Sequence, residues 1–353
     1  MRGIAALVVA FYHSLRPFAE IPRGDGIISV LNGHTAVLFF FILSGFVLSG
    51  SLNARGVCNF KSLLGYWTRR FFRLYPLVLF AILFSAFIAT FYTNSQAWSP
   101  IAPWVAKIMD LSKNLSGLRE YLSCLALHVS YLNAPLWTIK VELVCSFLLP
   151  ILLYLAHWVK VPFISIPTML VLLYLHYRFG PEAISSTKYL IYFFLGYAAY
   201  KLIPFTFLIP VSISCIGLGV LFAFILAANY WNWQKLYMML SLFGLFCLLV
   251  PCRLALLKKY LTTNIMRFLG RVSFSFYVLH WPIMLFLLSL MQVYFHPDFL
   301  DKYPLFKGVL LFVVSVGVTL PVSVLTERFV ERPFNTLGYK ISNIFFAVAN
   351  SKT

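Results

Sequence analysis

The chain has 353 residues, of which 61% are hydrophobic and 11% charged, and it carries a formal net charge of +18. Soluble globular proteins carry about 25% charged residues, so this composition excludes a soluble protein built around one apolar core. The apolar residues occur in runs of about 18 or more, which is long enough for an α-helix to cross the hydrocarbon layer. Backbone groups in lipid must be satisfied within the protein. The sequence therefore predicts an all-α integral membrane protein, a bundle of about ten transmembrane helices.

The predicted spans follow one another along almost the whole chain. They cover residues 1–18, 33–53, 74–95, 133–156, 161–178, 188–203, 206–228, 235–252, 270–291 and 305–327. The longest segment between spans, 96–132, is predicted to form short interfacial helices, and 335–353 a short amphipathic tail on the cytoplasmic surface. Residues 1–334 are thus predicted to be one transmembrane domain, and no soluble domain is expected.

Basic residues predict the orientation of the spans. When the N-terminus is placed in the cytoplasm, most lysines and arginines outside the spans fall on that side, so both termini are predicted to be cytoplasmic. This positive surface could hold anionic lipid or a phosphorylated cofactor. Nucleic-acid binding is not expected, because the basic residues are scattered among membrane anchors. The six cysteines include no C-x-x-C pair, which predicts buried thiols and neither disulfides nor a zinc site.

Ionisable residues inside spans are the first candidates for a functional site, because each costs about 2.5 to 3.5 kcal/mol to insert. They are Arg2, His13, Lys140, Glu142 and His280. Arg2 and His13 are eleven residues apart, so they share one helix face and lie about 16 Å apart along the axis. This spacing suits a long anionic cofactor whose phosphates stay at the surface. The alternative is that Arg2 is a membrane anchor and His13 a hydrogen-bonded core residue.

Three arginines follow the second span in the segment WTRRFFRLYP, which is predicted to be a loop. Arg69, Arg70 and Arg73 could bind a diphosphate through paired hydrogen bonds, or they could anchor the chain at lipid phosphates. The second span contains Ser44 and Gly45 in FFILSGFVLSG. Small residues let helices approach closely, and the same gap could admit a ligand arm.

Polar residues in the fourth and ninth spans complete the candidate set. In NAPLWTIKVELVCSFLLP, Trp137 is predicted at the outer interface, and Glu142 is expected to need a cation or a histidine as partner. A Glu–His pair would raise the basicity of the imidazole. In FLGRVSFSFYVLHWP, Tyr277 and His280 lie one turn apart before a proline. They could line a pocket or form an interhelical hydrogen-bonded pair.

Seven segments together resemble the membrane-bound acyltransferase family 3, which contains bacterial O-antigen and Nod-factor acetyltransferases. In chain order they are RGIAALVVAFYH with its Arg-x10-His spacing, FFILSGFVL, RRFFRLYP, NAPLWTIKVE, FLGYAAY, SFSFYVLHWP and ERPF, and they run from Arg2 to about Phe334. The resemblance implies ten core helices and transfer of an acyl group, usually acetyl from acetyl-coenzyme A, to a carbohydrate hydroxyl. Many members also carry an extracytoplasmic esterase-like domain, which is not expected here.

The resemblance also implies roles for the candidate residues. His13 is expected to be the general base, oriented by Glu142 or another polar neighbour, with Arg2 as a further catalytic residue. Acetyl-coenzyme A is expected to contact Arg69, Arg70, Arg73, Ser44 and Gly45. The acceptor sugar is expected to contact Trp137, Tyr277, His280 and Lys140. No metal is required.

Two departures from the family pattern bear on the substrate. Leu38 stands where members often have an acid, and Thr138, Ile139 and Lys140 stand where they usually have Ser-Leu-Ser. Lys140 adds a cation that could contact an anionic sugar.

The resemblance places the protein in a bacterial inner membrane, with lipids, acetyl-coenzyme A and a surface-polysaccharide or lipopolysaccharide O-antigen sugar as its partners. The competing interpretation is a transporter or flippase of a glycan or lipid-linked substrate, without covalent chemistry. Such proteins often show inverted repeats and interrupted helices, and neither is evident in this sequence.

Overall fold

The computed structural model describes residues 1–18, 33–55, 60–92, 102–113, 117–127, 132–158, 170–171, 173–178, 185–206, 210–230, 242–244, 259–294 and 303–350, and every regular element in these ranges is helical. In chain order the main helices are α1 (Arg2–Leu15), α2 (Gly33–Arg55), α3 (Phe60–Ala89), α4 (Pro103–Lys113), α5 (Leu118–Leu125), α6 (Leu136–Trp158), α7 (Leu190–Thr206), α8 (Val211–Tyr230), α9 (Asn264–Tyr294), α10 (Pro304–Thr326) and α11 (Arg332–Asn350).

Within the described ranges, five stretches of helix are long and apolar enough to cross a membrane: Gly33–Asn53, Phe60–Ala89, Leu136–Leu153, Asn264–Tyr294 and Pro304–Ile344. Arg2–Leu15 and Ser212–Ala227 are shorter apolar helices. The protein is therefore an all-helical membrane protein. Of the other predicted spans, 188–203 overlaps α7, whereas half of 161–178 and most of 235–252 lie outside the described residues. A total of ten spans and cytoplasmic termini stay predictions.

The segment WTRRFFRLYP forms part of α3, so its prediction as a loop is wrong. Helix α3 has 30 residues and continues through Pro76. At 1.5 Å per residue it is about 45 Å long, which exceeds the roughly 30 Å hydrocarbon layer. Its arginine-bearing turns can therefore extend past the lipid as helix, and no loop is needed to bring the charges to water.

The chain divides into two compact units. The first comprises Met1–Ala36, Phe72–Thr138 and Asn264–Thr336, and the second comprises Val37–Phe71, Ile139–Thr263 and Leu337–Thr353.

Helices α1, α9 and α10 pack against one another in the first unit. Glycine permits the close approach near both ends of α1. A Cβ on Gly3 would lie 2.6 Å from Cβ of Leu269 in α9, and a Cβ on Gly308 in α10 would overlap the side chain of Leu15. The position of α1 is thus set by close contacts at a glycine near each of its ends.

A five-residue π-helical turn, Glu327–Glu331, joins α10 to α11. Such turns insert an extra residue into a helix and often occur at functional sites. Helix α11 contains most of the predicted amphipathic tail, and residues 351–353 lie outside the described part of the chain.

In the second unit, α2 and α7 pack backbone to backbone. A Cβ on Gly45 would overlap the backbone of Phe193, and a Cβ on Gly196 would overlap the backbone of Ile42. The gap beside Gly45 is filled by protein. It therefore offers no room at Gly45 for the ligand arm that the sequence allowed as an alternative to packing.

Candidate active site

His13 of α1 and His280 of α9 form a direct hydrogen bond in the first unit. The His13 Nδ1 and His280 Nε2 atoms are 2.9 Å apart. The two rings are parallel within 4°, with centroids 5.3 Å apart, so they meet at their edges. The polar neighbour that the sequence required for His13 is therefore His280, and the hydrogen-bonded alternative for His280 is the arrangement found.

The second ring nitrogen of His280 determines where the protons lie. His280 Nδ1 is 2.6 Å from the backbone oxygen of Tyr277, and a carbonyl oxygen can only accept. The Nδ1 atom of His280 therefore carries a proton, and in the neutral ring Nε2 is an acceptor. His13 must then donate from Nδ1, which leaves its Nε2 lone pair available to accept a proton.

Helix α9 contains Pro282 next to this position, and Asn133 supplies the hydrogen-bond donor that the proline lacks. Pro282 cannot donate to the carbonyl oxygen of Val278, four residues earlier. The side-chain amide of Asn133, which is fully buried, donates to that oxygen at 2.8 Å. Asn133 thus supports the turn of α9 that carries His280. Asn133 is not among the residues predicted from the sequence, although the position of Pro282 is the signal for such a partner.

Aromatic side chains surround His13. The Trp281 ring meets the His13 ring edge-on, with centroids 5.1 Å apart and planes at 77°, and Trp104 stacks on Trp281 at 6.1 Å. The guanidinium of Arg16, which directly follows the end of α1, lies over Trp104 at 5.5 Å and over Tyr12 at 5.7 Å. Aromatic faces next to a cation can bind a sugar ring and an anionic substituent.

The two aromatic residues predicted to contact the acceptor have protein partners of their own. The hydroxyls of Tyr277 and Thr138 are hydrogen-bonded at 2.9 Å, and Trp137 stacks on His34 with centroids 6.3 Å apart. Thr138, which the sequence analysis noted only as a departure from the family pattern, therefore binds the candidate residue Tyr277.

A second polar group in the first unit contains Arg2, Arg73 and Glu331. The Ser275 hydroxyl donates to Glu331 Oε2 at 3.0 Å, and the positive charges of Arg73 and Arg2 act on the same carboxylate. Glu331 is the last residue of the π-helical turn, and Glu327 at its start accepts a hydrogen bond from Arg332 at 2.6 Å. The motifs SFSFYVLHWP and ERPF thus meet beside two candidate arginines.

Glu142 has its partners in the second unit. Arg70 Nη2 donates to Glu142 Oε1 at 3.1 Å, and the Ser44 hydroxyl lies 3.4 Å from the same oxygen. Of the two kinds of partner expected for Glu142, the cation is the one found. The side chain of Arg70 is only 8% exposed, and its Nε atom has no acceptor among the described residues. Arg70 is therefore neutralised by a carboxylate and still has an N–H to donate.

The remaining candidates in the second unit are Arg69 and Lys140. Arg69 donates to the Ser342 hydroxyl of α11 at 3.1 Å, and Lys140 lies partly exposed on α6. Within the described ranges, no cluster of histidine, cysteine or acidic residues is arranged to hold a metal. The described cysteines, Cys124, Cys145 and Cys215, are free thiols.

Comparison with known proteins identifies the family. A family model described as an acyltransferase domain matches residues 1–328. The chain belongs to this acyltransferase family. It is 23% identical over 346 residues to the O-acetyltransferase OatA of Staphylococcus aureus, across 87% of the chain and 53% of OatA. A shorter match to the acyltransferase MdmB of Streptomyces mycarofaciens is 30% identical over 145 residues, across 40% of the chain and 35% of MdmB. No solved structure matches.

Membership of the acyltransferase family confirms the resemblance that the seven segments indicated. The family match includes the histidine pair and the Glu142–Arg70 pair, and it ends three residues before Glu331. The chain spans about half the length of the curated relative OatA, so OatA's name describes a protein with further sequence beyond the matched part.

Proposed function

We propose that this acyltransferase is a membrane O-acetyltransferase that moves an acetyl group from acetyl-coenzyme A to a hydroxyl of a surface-polysaccharide or lipopolysaccharide O-antigen sugar. The observation that carries the proposal is the His13–His280 hydrogen bond, because it leaves a lone pair on His13 Nε2 beside aromatic rings. Both curated relatives are acyltransferases by name, and one is an O-acetyltransferase. A bacterial inner membrane is the location that fits this substrate.

His13 acts as the general base. Its Nε2 accepts the proton of the acceptor hydroxyl as the oxygen attacks the thioester carbonyl carbon. The tetrahedral centre then collapses, the C–S bond breaks, and the coenzyme A thiolate leaves with the proton from His13. His280 holds His13 in the required tautomer and accepts from Nδ1–H throughout, so the imidazolium that forms in the transition state keeps a partner.

Coenzyme A binds through its phosphates to arginines. Arg2 and Arg73 each contact a phosphate. Their positive charges also act on the Glu331 carboxylate in the first unit. The family resemblance assigns the same role to Arg69 and Arg70, and Arg70 keeps an N–H that Glu142 leaves unbonded. Guanidinium groups suit this role because they stay charged and bind phosphate through paired hydrogen bonds. Ser44 and Glu142 support Arg70.

The acceptor sugar lies against Trp137 and Tyr277, with Lys140 available to an anionic substituent. Trp137 and Tyr277 belong to segments that carry the family resemblance, whereas Lys140 departs from the family pattern and is assigned by its charge. The aromatic rings around His13 support an acceptor with apolar sugar faces, since Trp281 and Trp104 form a stacked pair beside the base.

Turnover of radiolabelled acetyl-coenzyme A by the purified protein in detergent tests the proposal. Wild type should release coenzyme A thiol and label the polysaccharide, and His13→Ala should abolish both while the protein stays folded. Arg2→Ala and Arg73→Ala should weaken coenzyme A binding by about tenfold or more, since a charged hydrogen bond contributes about 1.5 to 3 kcal/mol. The exposed Arg328 gives a matched control, Arg328→Ala, with unchanged affinity.

Two results would contradict the proposal. Retained turnover in His13→Ala would remove His13 from the chemistry. Folded wild-type protein that neither binds nor consumes acetyl-coenzyme A would require another acyl donor, or the transporter interpretation.

A further inference from the structure

Trp281 carries a hydrogen-bond donor that the described part of the chain leaves unused. The side chain is 1% exposed and lies in an apolar cluster with Phe18, Met109, Leu288 and Leu311. Its indole Nε1–H has no acceptor among the described residues. An indole nitrogen can only donate, and a buried donor without an acceptor is costly. The unused N–H therefore needs an explanation.

Another tryptophan in the same chain shows the usual arrangement. Trp67 is only partly buried, and its Nε1 donates to the backbone oxygen of Phe147 at 3.2 Å. Buried tryptophans usually find such a partner. Trp281, which is more deeply buried, does not find one within the described chain.

The neighbour of the unused donor is the base. The Trp281 and His13 rings are in edge contact, with centroids 5.1 Å apart, and Trp281 directly follows His280, the partner of His13. The Trp281 ring belongs to the apolar cluster and also contacts the histidine pair through His13. A group that reacts at His13 Nε2 would therefore come close to the indole.

We propose that the Trp281 indole N–H donates to the acyl carbonyl oxygen as negative charge develops on it. This inference rests on the proposed function. As the acceptor oxygen loses its proton to His13 and bonds to the carbonyl carbon, the C=O π pair moves to the oxygen, and the N–H stabilises that oxygen. The pair returns when the C–S bond breaks and the thiolate leaves with the proton. Trp281 exchanges no proton and acts as an oxyanion donor.

The test compares Trp281→Phe with the matched control Trp67→Phe, which removes an indole N–H that is already bonded to the Phe147 backbone oxygen. Removal of one oxyanion donor typically lowers kcat by about 100- to 1,000-fold. We expect a loss of this size in Trp281→Phe, with KM for acetyl-coenzyme A changed by less than about threefold, because the oxygen becomes a strong acceptor only in the transition state. Trp67→Phe should keep kcat within about threefold of wild type, because that N–H serves a backbone oxygen of the second unit.

A second variant separates the N–H from the packing of the ring. Benzothienylalanine, introduced at position 281 by codon suppression, keeps the bicyclic shape and replaces N–H with sulfur. It should show the same loss of kcat as Trp281→Phe with an unchanged melting temperature. Wild-type kcat in this variant would overturn the oxyanion role and leave Trp281 as a core residue. Absence of turnover in the wild type would instead overturn the proposed function, and this inference with it.

Discussion

The hydroxyl of Tyr66 donates to the backbone oxygen of Ser146 at 3.0 Å, and this is the oxygen that Pro150 leaves without its helical partner. The same arrangement occurs in the other unit, where Asn133 serves Val278 below Pro282. In α6 and α9, which both carry candidate residues, a side chain from elsewhere thus supplies the donor that the proline lacks. The Tyr66 hydroxyl and the Asn133 amide are therefore expected to stabilise their helices.

Tyr66→Phe should destabilise the protein by about 1 to 3 kcal/mol, because the buried Ser146 oxygen loses its donor. In a Pro150→Ala background the restored backbone N–H can bond to that oxygen, so the same substitution should cost much less. Unfolding in detergent of wild type, both single variants and the double variant measures this coupling. Equal costs of Tyr66→Phe in the two backgrounds would separate Tyr66 from the proline.

Asn133→Leu should lower both stability and turnover. The Val278 oxygen would be buried without a partner, at a cost of about 1 to 3 kcal/mol, and the turn that bears His280 would lose its support. Ser85→Ala is the matched control, since Ser85 lies 3.3 Å from the Asn133 amide and its loss leaves the bond to Val278 intact. If Ser85→Ala reduced kcat as much as Asn133→Leu, the bond to Val278 would not be the cause.

His280→Leu should reduce kcat by about 100-fold or more, because His13 loses the acceptor that fixes its tautomer. His280→Gln should lose less, since the amide oxygen can take the place of Nε2. The measurement is kcat and KM for acetyl-coenzyme A across pH, with His176→Leu as the control. His176 is hydrogen-bonded to Thr187 in the second unit, and its loss should leave kcat unchanged. Equal activity of the Leu and Gln variants would argue that His280 only packs.

Gly45→Ala should destabilise the second unit by several kcal/mol, because its methyl group would overlap the Phe193 backbone and force α2 and α7 apart. Gly219→Ala is the natural comparison. Gly219 lies in α8 with nothing within 4 Å of the added methyl group, so the change should stabilise by up to about 1 kcal/mol. The measurement is the melting temperature of both variants relative to wild type. A Gly45→Ala protein as stable as wild type would contradict the close packing of α2 against α7.

Much of the helical fold could be predicted from the sequence, and several candidate residues could be singled out, because a lipid environment constrains both backbone and charged groups. An apolar run in lipid must be helical, and an ionisable residue within it must have a partner. His13, Glu142 and His280 are therefore candidate site residues on the sequence alone. The pairing itself could not be predicted. His13 and His280 are 267 residues apart, and their meeting depends on how α1 packs against α9. For the same reason the partner of Glu142 stayed open between a cation and a histidine.

Two other features escaped prediction for different reasons. The arginines of WTRRFFRLYP were assigned to a loop because charges usually mark the end of a span, yet a helix longer than the hydrocarbon layer can carry them beyond it. Asn133 and Trp281 are neither charged nor unusual in a membrane segment. Their importance depends on one carbonyl oxygen and one N–H whose partners are visible only in three dimensions.

The glycine contacts at the two ends of α1 have a consequence for catalysis. Leu269 meets the helix at Gly3, and Gly308 receives Leu15, so α1 can neither slide along its axis nor rotate without a collision. The imidazole of His13 is therefore a stationary part of the enzyme. Any closing motion during turnover has to bring donor and acceptor to the base, and spectroscopic labels on α1 should stay at constant distance from α9 and α10 throughout the reaction cycle.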